Sequence, residues 1–235
     1  IGPDYDSKWS EHVAWQCDED AYNASGQKCS AQSMLFMHKN WEQDLIPRLI
    51  DLASKRKLKD LDIGPVLTWT NPQMREHIDS LLKIAGSKLL LGGKELTNHS
   101  IPSMYGSLEP TALQIPIEAF RTDDFKKITK EVFGPFQIVV VYTDKEIGLV
   151  KNALEKITQN LTAAIVSNDT FFQQDLLANT VNGTTYTGMK ARTTGAPQNH
   201  WFGPSGDPRS AGIGTPEAII NTWSSHREII KDVGP

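Results

Sequence analysis

The stretch at residues 137–186 alternates between two hydrophobic periods, and this alternation constrains the fold more than any other feature. Residues 137–142, QIVVVY, form a continuous β-branched run typical of a buried strand. Apolar residues then recur at the helical spacing of three and four: Ile147, Val150, Leu154 and Ile157. Strands at 161–167 and 181–186 and a helix at 171–179 continue the pattern. Strands that alternate with helices predict an α/β fold with a parallel sheet and right-handed crossovers.

The upstream sequence adds further elements to this α/β pattern. A helix is predicted over 10–25, where Gly26 stops it. Amphipathic helices are predicted from near Asn40 to 53 and after Asn71-Pro72, where proline suits the first helical turn. Candidate strands lie at 34–38, 88–91 and 112–115. Residues 188–214 are rich in glycine and proline and lack periodicity, which indicates a functional loop.

Composition and charge exclude several classes of partner. The 235 residues are 39% hydrophobic and carry a net charge of −4, which is typical of a soluble globular protein. No basic field is present, so we expect no nucleic-acid partner, and no apolar run is long enough to predict a membrane span. The six histidines are scattered without metal-ligand spacing, so no metal site is predicted.

Cys29 lies in a local pattern that favours a reactive thiol. It follows the helix-stopping Gly26 by three residues and precedes the predicted strand at 34–38. A thiol at such a junction can be exposed, and nearby backbone amides or Lys28 favour its thiolate form. The alternative is a small buried hydrophobic residue, the usual state of a free cysteine, and Cys17 within the first helix fits that alternative better.

Two further motifs have both a functional and a plain interpretation. In EVFGP at 131–135, the Gly-Pro turn places Glu131 and Phe133 at the entrance of the following strand; a surface carboxylate and a core aromatic are the alternative. The glycine-rich run at 199–217 ends in a helix start around Thr215, whose free amides suit a carboxylate. An ordinary surface loop is the alternative there, and the glycine spacing matches no nucleotide-binding fingerprint.

Taken together, these motifs resemble the aldehyde dehydrogenase superfamily. The resemblance rests on SGQKC at 25–29, followed about a hundred residues later by EVFGP. Within the superfamily, the whole chain is similar to the plant-type pyrroline-5-carboxylate (glutamate γ-semialdehyde) dehydrogenases. The matching stretches are AWQCD at 14–18, GQKCSAQSMLF at 26–36 and TGAPQNHWFGP at 194–204.

The resemblance implies roles for the nucleophile and the cofactor site. Cys29 is expected to attack the aldehyde carbon, and its backbone N–H to stabilise the resulting oxyanion. Glu131 is expected to accept hydrogen bonds from the nicotinamide-ribose hydroxyls of NAD, and Phe133 to pack on the same end of the cofactor. The reaction implied is the NAD-dependent oxidation of glutamate γ-semialdehyde to glutamate in proline catabolism.

The resemblance also implies a substrate site. Ser30 and the backbone amides near Gly214 and Thr215 are expected to hold the substrate α-carboxylate. Trp223 is expected to form an aromatic wall along the aliphatic part of the substrate.

By the same resemblance, residues 1–235 form a catalytic domain with a largely parallel sheet flanked by helices. The NAD-binding domain, the general-base glutamate and the oxyanion-hole asparagine are expected upstream of Ile1 in the same polypeptide. We therefore expect the isolated chain to be inactive. A homo-oligomer in the mitochondrial matrix is expected for the full-length protein.

Two other functions remain open from the sequence. One is an aldehyde dehydrogenase that acts on a different aldehyde. The feature that distinguishes the two substrates is the anchor for a substrate carboxylate near Ser30 and Gly214. The other is a non-catalytic assembly module with a structural cysteine, which the reactivity of Cys29 would distinguish.

Overall fold

The computed structural model describes residues 1–194, 220, 224 and 227–229. Its α-helices in the described part, in chain order, are α1 (Ser10–Tyr22), α2 (Glu42–Lys55), α3 (Asn71–Leu82), α4 (Phe125–Ile128), α5 (Ile147–Lys156) and α6 (Thr170–Leu177). Its strands are β1 (Met34–His38), β2 (Lys88–Leu91), β3 (Thr111–Gln114), β4 (Phe136–Tyr142), β5 (Thr162–Ile165) and β6 (Thr184–Thr187). The predicted α/β class is confirmed.

The strands form a four-stranded sheet in the order β1-β4-β3-β2 and a two-stranded sheet of β5 and β6. The pairs β1–β4, β3–β4 and β5–β6 are parallel, whereas β2 runs antiparallel to β3. The expectation of a largely parallel sheet therefore holds for the described strands, with β2 as an antiparallel edge.

The three strands of the 137–186 stretch do not belong to one sheet, although their alternation with helices predicts a single parallel sheet. Strand β4 lies in the four-stranded sheet, whereas β5 and β6 form the two-stranded sheet. Strand β4 pairs with β1 and β3. The first two residues lie between β1 and β5: the amino group of Ile1 donates to the carbonyl of Phe36 at 2.7 Å, and the amide of Gly2 donates to the carbonyl of Val166 at 2.9 Å. The amide of His38 also donates to the carbonyl of Ile1. The chain start thus links the two sheets.

Helices cover both faces of the larger sheet. Successive residues of β4 point to opposite faces, and they therefore pack into two different cores. Ile138 and Val140 belong to a core that includes residues of α3 and α5. Val139 belongs to a second core with residues of α1 and α2. The buried runs on β4 are therefore explained by packing on both of its faces.

Local sequence explains where several helices begin and end. Asp169 caps α6 by accepting hydrogen bonds from the amides of Phe171 and Phe172. Proline occupies the first turn of α3, as predicted. Helix α1 ends at Tyr22, three residues before the predicted end, because residues 23–26 form a separate turn in which Ala24 and Ser25 have non-helical backbone angles. Among the described residues, every helix is too short or too polar to cross a lipid bilayer.

Candidate active site

The turn that follows α1 holds an uncommon backbone conformation just before Cys29. Ala24, Ser25 and Gly26 have φ angles of 55°, 56° and 64°, which lie in the left-handed region. Residues other than glycine adopt this conformation at a cost, and such outliers cluster at functional sites. The turn redirects the chain sharply between α1 and Cys29.

A neighbouring segment stabilises this turn through hydrogen bonds. The Ser25 hydroxyl accepts from the amide of Gly64 at 2.6 Å and donates to its carbonyl at 3.3 Å. The Gln27 side chain donates to the carbonyl of Pro65 and accepts from the amide of Leu67, both at 2.9 Å. These contacts tie the side chains of the turn to the backbone of residues 64–67 and supply partners for that backbone.

Gly26 also brings the Cys29 turn against the EVFGP motif. A Cβ atom at Gly26 would overlap the carbonyl oxygen of Gly134 and would lie 2.8 Å from the carbonyl oxygen of Ala21. Only glycine allows this approach of two backbones, and its positive φ favours glycine as well. Two motifs separated by about a hundred residues in sequence are therefore in direct contact.

Cys29 and Glu131 line the same open cleft, which has a volume of about 1090 Å³. The Cys29 side chain is exposed there. Glu131 is exposed too, but the surrounding protein limits its hydration and raises the pKa of its carboxyl. The cleft thus presents a free thiol and a carboxyl group to one ligand-sized space.

Three lysines in the described lining of this cleft were missed by the sequence analysis: Lys126, Lys130 and Lys156. With Glu131 as the acidic group of this lining, they give it an excess of positive formal charge. Such a lining favours an anionic ligand. Their separation along the chain explains why local spacing gave no signal, since Lys156 ends α5 whereas the other two lie near α4.

The two cysteines differ as the sequence predicts. Cys17 lies within α1 with 2% of its surface exposed, and burial raises the pKa of its thiol to about 12. Cys29 is exposed in the cleft, and both thiols are free. Burial also lowers the pKa of the neighbouring Lys28, against the opposing effect of Asp20.

The remaining predicted site residues are placed less completely. Ser30 and Phe133 are half-buried and lie close to Cys29 and Glu131 in sequence. Neither residue is among the described residues that line the cleft. Gly214, Thr215 and Trp223 lie outside the described residues. The cofactor-binding role of Phe133 and the substrate-binding roles of the other four residues therefore stay predictions.

A buried polar chain connects the residues after Cys29 to the sheet. The Gln32 amide donates to the Gln137 side-chain oxygen at 2.7 Å, and Gln137 donates to the Tyr22 hydroxyl at 2.9 Å. The Tyr22 hydroxyl in turn donates to the carbonyl of Thr111 at 3.2 Å. These hydrogen bonds tie α1, β3 and β4 to the segment that follows Cys29. Within the described part of the protein, no group of three or more His, Cys, Asp or Glu side chains is placed so that it could bind a metal ion.

The aldehyde dehydrogenase family model matches residues 6–207, which is most of the chain and includes Cys29 and Glu131. The chain belongs to the aldehyde dehydrogenase family. Members of this family act on aldehydes, generally use NAD or NADP, and often form oligomers. The motif resemblance stated from the sequence is therefore confirmed.

Two plant proteins are similar to this aldehyde dehydrogenase chain over its full length. The mitochondrial delta-1-pyrroline-5-carboxylate dehydrogenase 12A1 of Arabidopsis thaliana is 61% identical over 238 aligned positions, which are 100% of this chain and 42% of that protein. A probable aldehyde dehydrogenase of Linum usitatissimum is 58% identical over 100% of this chain and 43% of its own length. The chain thus spans less than half the length of these relatives.

Solved structures support the aldehyde dehydrogenase fold. Aldehyde dehydrogenase 21 from Physcomitrella patens superposes with a TM-score of 0.66 at 18% identity, over 86% of this chain and 39% of that one. A proline utilization A protein from Bradyrhizobium japonicum gives a TM-score of 0.65 at 23% identity, over 80% of this chain and 18% of that one. At these identities the likeness concerns the fold.

Proposed function

We propose that this chain is the catalytic portion of a glutamate γ-semialdehyde (delta-1-pyrroline-5-carboxylate) dehydrogenase that uses NAD. The observation that carries the proposal is the 61% identity with the Arabidopsis protein of that name over the whole of this chain. The exposed thiol of Cys29, which shares a cleft with Glu131, supports the chemistry. The positive lining of that cleft suits a substrate with a carboxylate.

Cys29 carries the covalent chemistry in this proposal. Its thiolate attacks the aldehyde carbon, and the carbonyl oxygen becomes the oxyanion of a thiohemiacetal. The backbone N–H of Cys29 donates to that oxyanion, a contribution of about 3 kcal/mol for one such donor. Loss of a hydride from the thiohemiacetal gives a thioester, and water then hydrolyses the thioester to glutamate and regenerates the thiol.

Glu131 fits the cofactor that this reaction requires. Its carboxylate is exposed in the Cys29 cleft and has acceptor oxygens for ribose hydroxyls. The lysines of the lining offer positive charge to phosphate groups. NAD, when bound, supplies the acceptor for the hydride. Phe133, half-buried in the same turn as Glu131, would pack on the cofactor from that turn.

The proposal also covers the rest of the polypeptide. The motif resemblance implies a dinucleotide-binding domain and the hydrolytic base upstream of Ile1, and the match of this chain to only 42% of the Arabidopsis protein is consistent with this expectation. Residues 1–235 alone are then inactive because positioning of the cofactor is lost. We propose a mitochondrial location because the name of that relative includes it, and a homo-oligomer because members of the family often form oligomers.

Steady-state assays of the full-length enzyme test the proposed substrate and cofactor. Glutamate γ-semialdehyde, succinate semialdehyde and butanal are compared with NAD and with NADP. We expect kcat/KM to be at least about tenfold higher for glutamate γ-semialdehyde, because binding of the α-carboxylate adds to transition-state binding. A higher value for another aldehyde would favour the alternative substrate class. If the full-length protein turned over none of these aldehydes, the result would favour the non-catalytic assembly module.

The isolated chain provides a second test. Residues 1–235 with glutamate γ-semialdehyde and NAD are expected to produce no NADH above the blank. A clear turnover would contradict the proposal that cofactor positioning depends on sequence outside this chain.

A further inference from the structure

Gln137 is a fully buried polar residue in the strand that follows the EVFGP motif. It is the second residue of β4, and 0% of its surface is exposed, although the rest of this strand is apolar or aromatic. A buried amide costs free energy unless it finds hydrogen-bond partners inside the protein. Its partners therefore show which parts of the chain the residue holds together.

Both ends of the Gln137 amide group are hydrogen-bonded. Its Oε1 accepts from Nε2 of Gln32 at 2.7 Å, and its Nε2 donates to the hydroxyl of Tyr22 at 2.9 Å. Tyr22 is itself 0% exposed. A buried polar network whose members are all bonded makes the segments that it joins rigid. Gln137 thus ties Gln32 to an interior strand of the larger sheet.

The segment of Gln32 is held by its backbone as well as by its side chain. The amide of Gln32 donates to the carbonyl of Asp20 in α1 at 2.9 Å. The carbonyl of Ser33 accepts from the amide of Ile138, the residue after Gln137, at 3.0 Å. Side chain and main chain therefore bind this segment to the same part of β4.

Cys29 lies midway between two contacts with the segment that leads into β4. Gly26, three residues before Cys29, packs against the backbone of Gly134. Gln32, three residues after Cys29, bonds to Gln137. The short loop that holds Cys29 therefore has both of its ends fixed to one segment, and Gln137 fixes the second end.

We propose that Gln137 is a positioning residue that fixes the loop of Cys29 against the segment that continues from Glu131, and so aligns the reacting thiol with the cofactor. This inference rests on the proposed function, in which Cys29 carries the thiohemiacetal and Glu131 contacts the nicotinamide ribose. Gln137 is fully buried and acts through Gln32. Alignment matters because a displacement of about 1 Å can lower a rate about 100-fold.

The first test compares Gln137→Met with Gln16→Met in the full-length enzyme. Methionine keeps the length of the side chain and removes its hydrogen bonds. Gln16 is a matched control, because it is 1% exposed and its amide donates to the carbonyl of Met189, away from the loop of Cys29. Rates are expressed per folded molecule, so that a loss of stability alone does not change them.

Gln137→Met should slow the hydride step without weakening binding. We expect the single-turnover rate of NADH formation to fall about tenfold or more, because the thiohemiacetal on Cys29 no longer meets the cofactor in line. KM for glutamate γ-semialdehyde, KM for NAD and the alkylation rate of Cys29 should stay within about threefold of wild type. In Gln16→Met all four quantities should stay within about threefold.

Several outcomes overturn the inference. A smaller fall in the single-turnover rate of Gln137→Met shows that its hydrogen bond does not align the thiol. An equal fall in Gln16→Met shows that loss of any buried glutamine has this effect, and larger rises in both KM values assign Gln137 a general structural role. If Gln137→Met does not fold, Gln32→Met removes the same hydrogen bond from a half-buried position. The same tenfold fall is then expected, and its absence overturns the inference.

Amide hydrogen exchange separates this inference from the proposed function. In the wild type, the amides of Ala31 and Gln32 donate to the carbonyls of Lys28 and Asp20. In Gln137→Met we expect exchange at both amides to become at least about tenfold faster and exchange along α2 to stay unchanged, whatever the substrate of the enzyme is. If the wild-type enzyme does not oxidise glutamate γ-semialdehyde, the proposed function fails. The positioning claim is then decided by these two amides, and unchanged exchange there overturns it.

Discussion

Gly26 and Gly134 pack backbone against backbone, and this contact joins the turn before Cys29 to the turn after Glu131. A Cβ atom at Gly26 would overlap the Gly134 carbonyl, and Gly26 has a φ of 64°. The contact explains how Cys29 and Glu131, which come from distant parts of the chain, line one cleft. The site therefore depends on a position that carries no reactive group.

Gly26→Ala tests this dependence. We expect a loss of at least about 2 kcal/mol in the free energy of unfolding, because a left-handed residue with a side chain costs about 1–2 kcal/mol and the overlap with Gly134 adds to it. Urea denaturation measures the change. Gly148→Ala is the matched control, since Gly148 lies in α5 with open space around it, and there we expect a gain of about 0.5–1 kcal/mol. Equal effects of the two substitutions would contradict the account.

Alkylation of the two thiols tests the exposure of Cys29. At pH 8 a thiol with a pKa of about 12, as for Cys17, is ionised in about one molecule in 10⁴, and Cys17 is also shielded from reagent. Iodoacetamide should therefore label the Cys29 peptide at least about 100-fold faster than the Cys17 peptide, as measured by mass spectrometry. Cys29→Ser should abolish the fast phase and Cys17→Ser should leave it intact. Similar rates at the two positions would refute the assignment.

His77 should make stability depend on pH. Its ring is buried between Trp69 and Phe136, and burial together with Lys130 and Lys127 lowers its pKa from 6.5 to about 4. Between these pH values the unfolded chain binds a proton that the folded chain does not. The free energy of unfolding should therefore fall by up to about 3 kcal/mol as pH falls from 6.5 to 4.

Denaturation at several pH values in this window measures the His77 effect. His77→Leu should flatten the dependence by about that amount. A slope that is the same in wild type and His77→Leu would show that other groups cause the acid sensitivity.

The sequence predicted individual elements better than their arrangement. Strands at 34–38 and 88–91 were predicted with the observed bounds, since local hydrophobic pattern determines them. The pairing of β4 with β1 and β3 was not predicted, because it depends on residues far apart in sequence. The insertion of Ile1 and Gly2 between β1 and β5 was not predicted either, because a stretch of two residues is too short to show hydrophobic periodicity.

For the site, the motifs predicted Cys29 and Glu131, and the structure brings these two together. The supports around them were missed. Ser25 and Gln27 bond to residues 64–67, and Asp20 bonds to residues 192–194. Each of these contacts joins single polar residues across long sequence separations, and a polar residue in a helix or turn gives no local sign of its partner.

Cys29 is the residue that we propose forms the covalent bond to the substrate. Full-length enzyme turning over glutamate γ-semialdehyde with NAD can be quenched in acid and digested, and the cysteine peptides weighed. We predict a glutamyl adduct on the Cys29 peptide, none on the Cys17 peptide, and at least about a 10³-fold loss of kcat in Cys29→Ala with Cys17→Ala near wild type. Wild-type turnover by Cys29→Ala, or an adduct on another residue, would contradict the account.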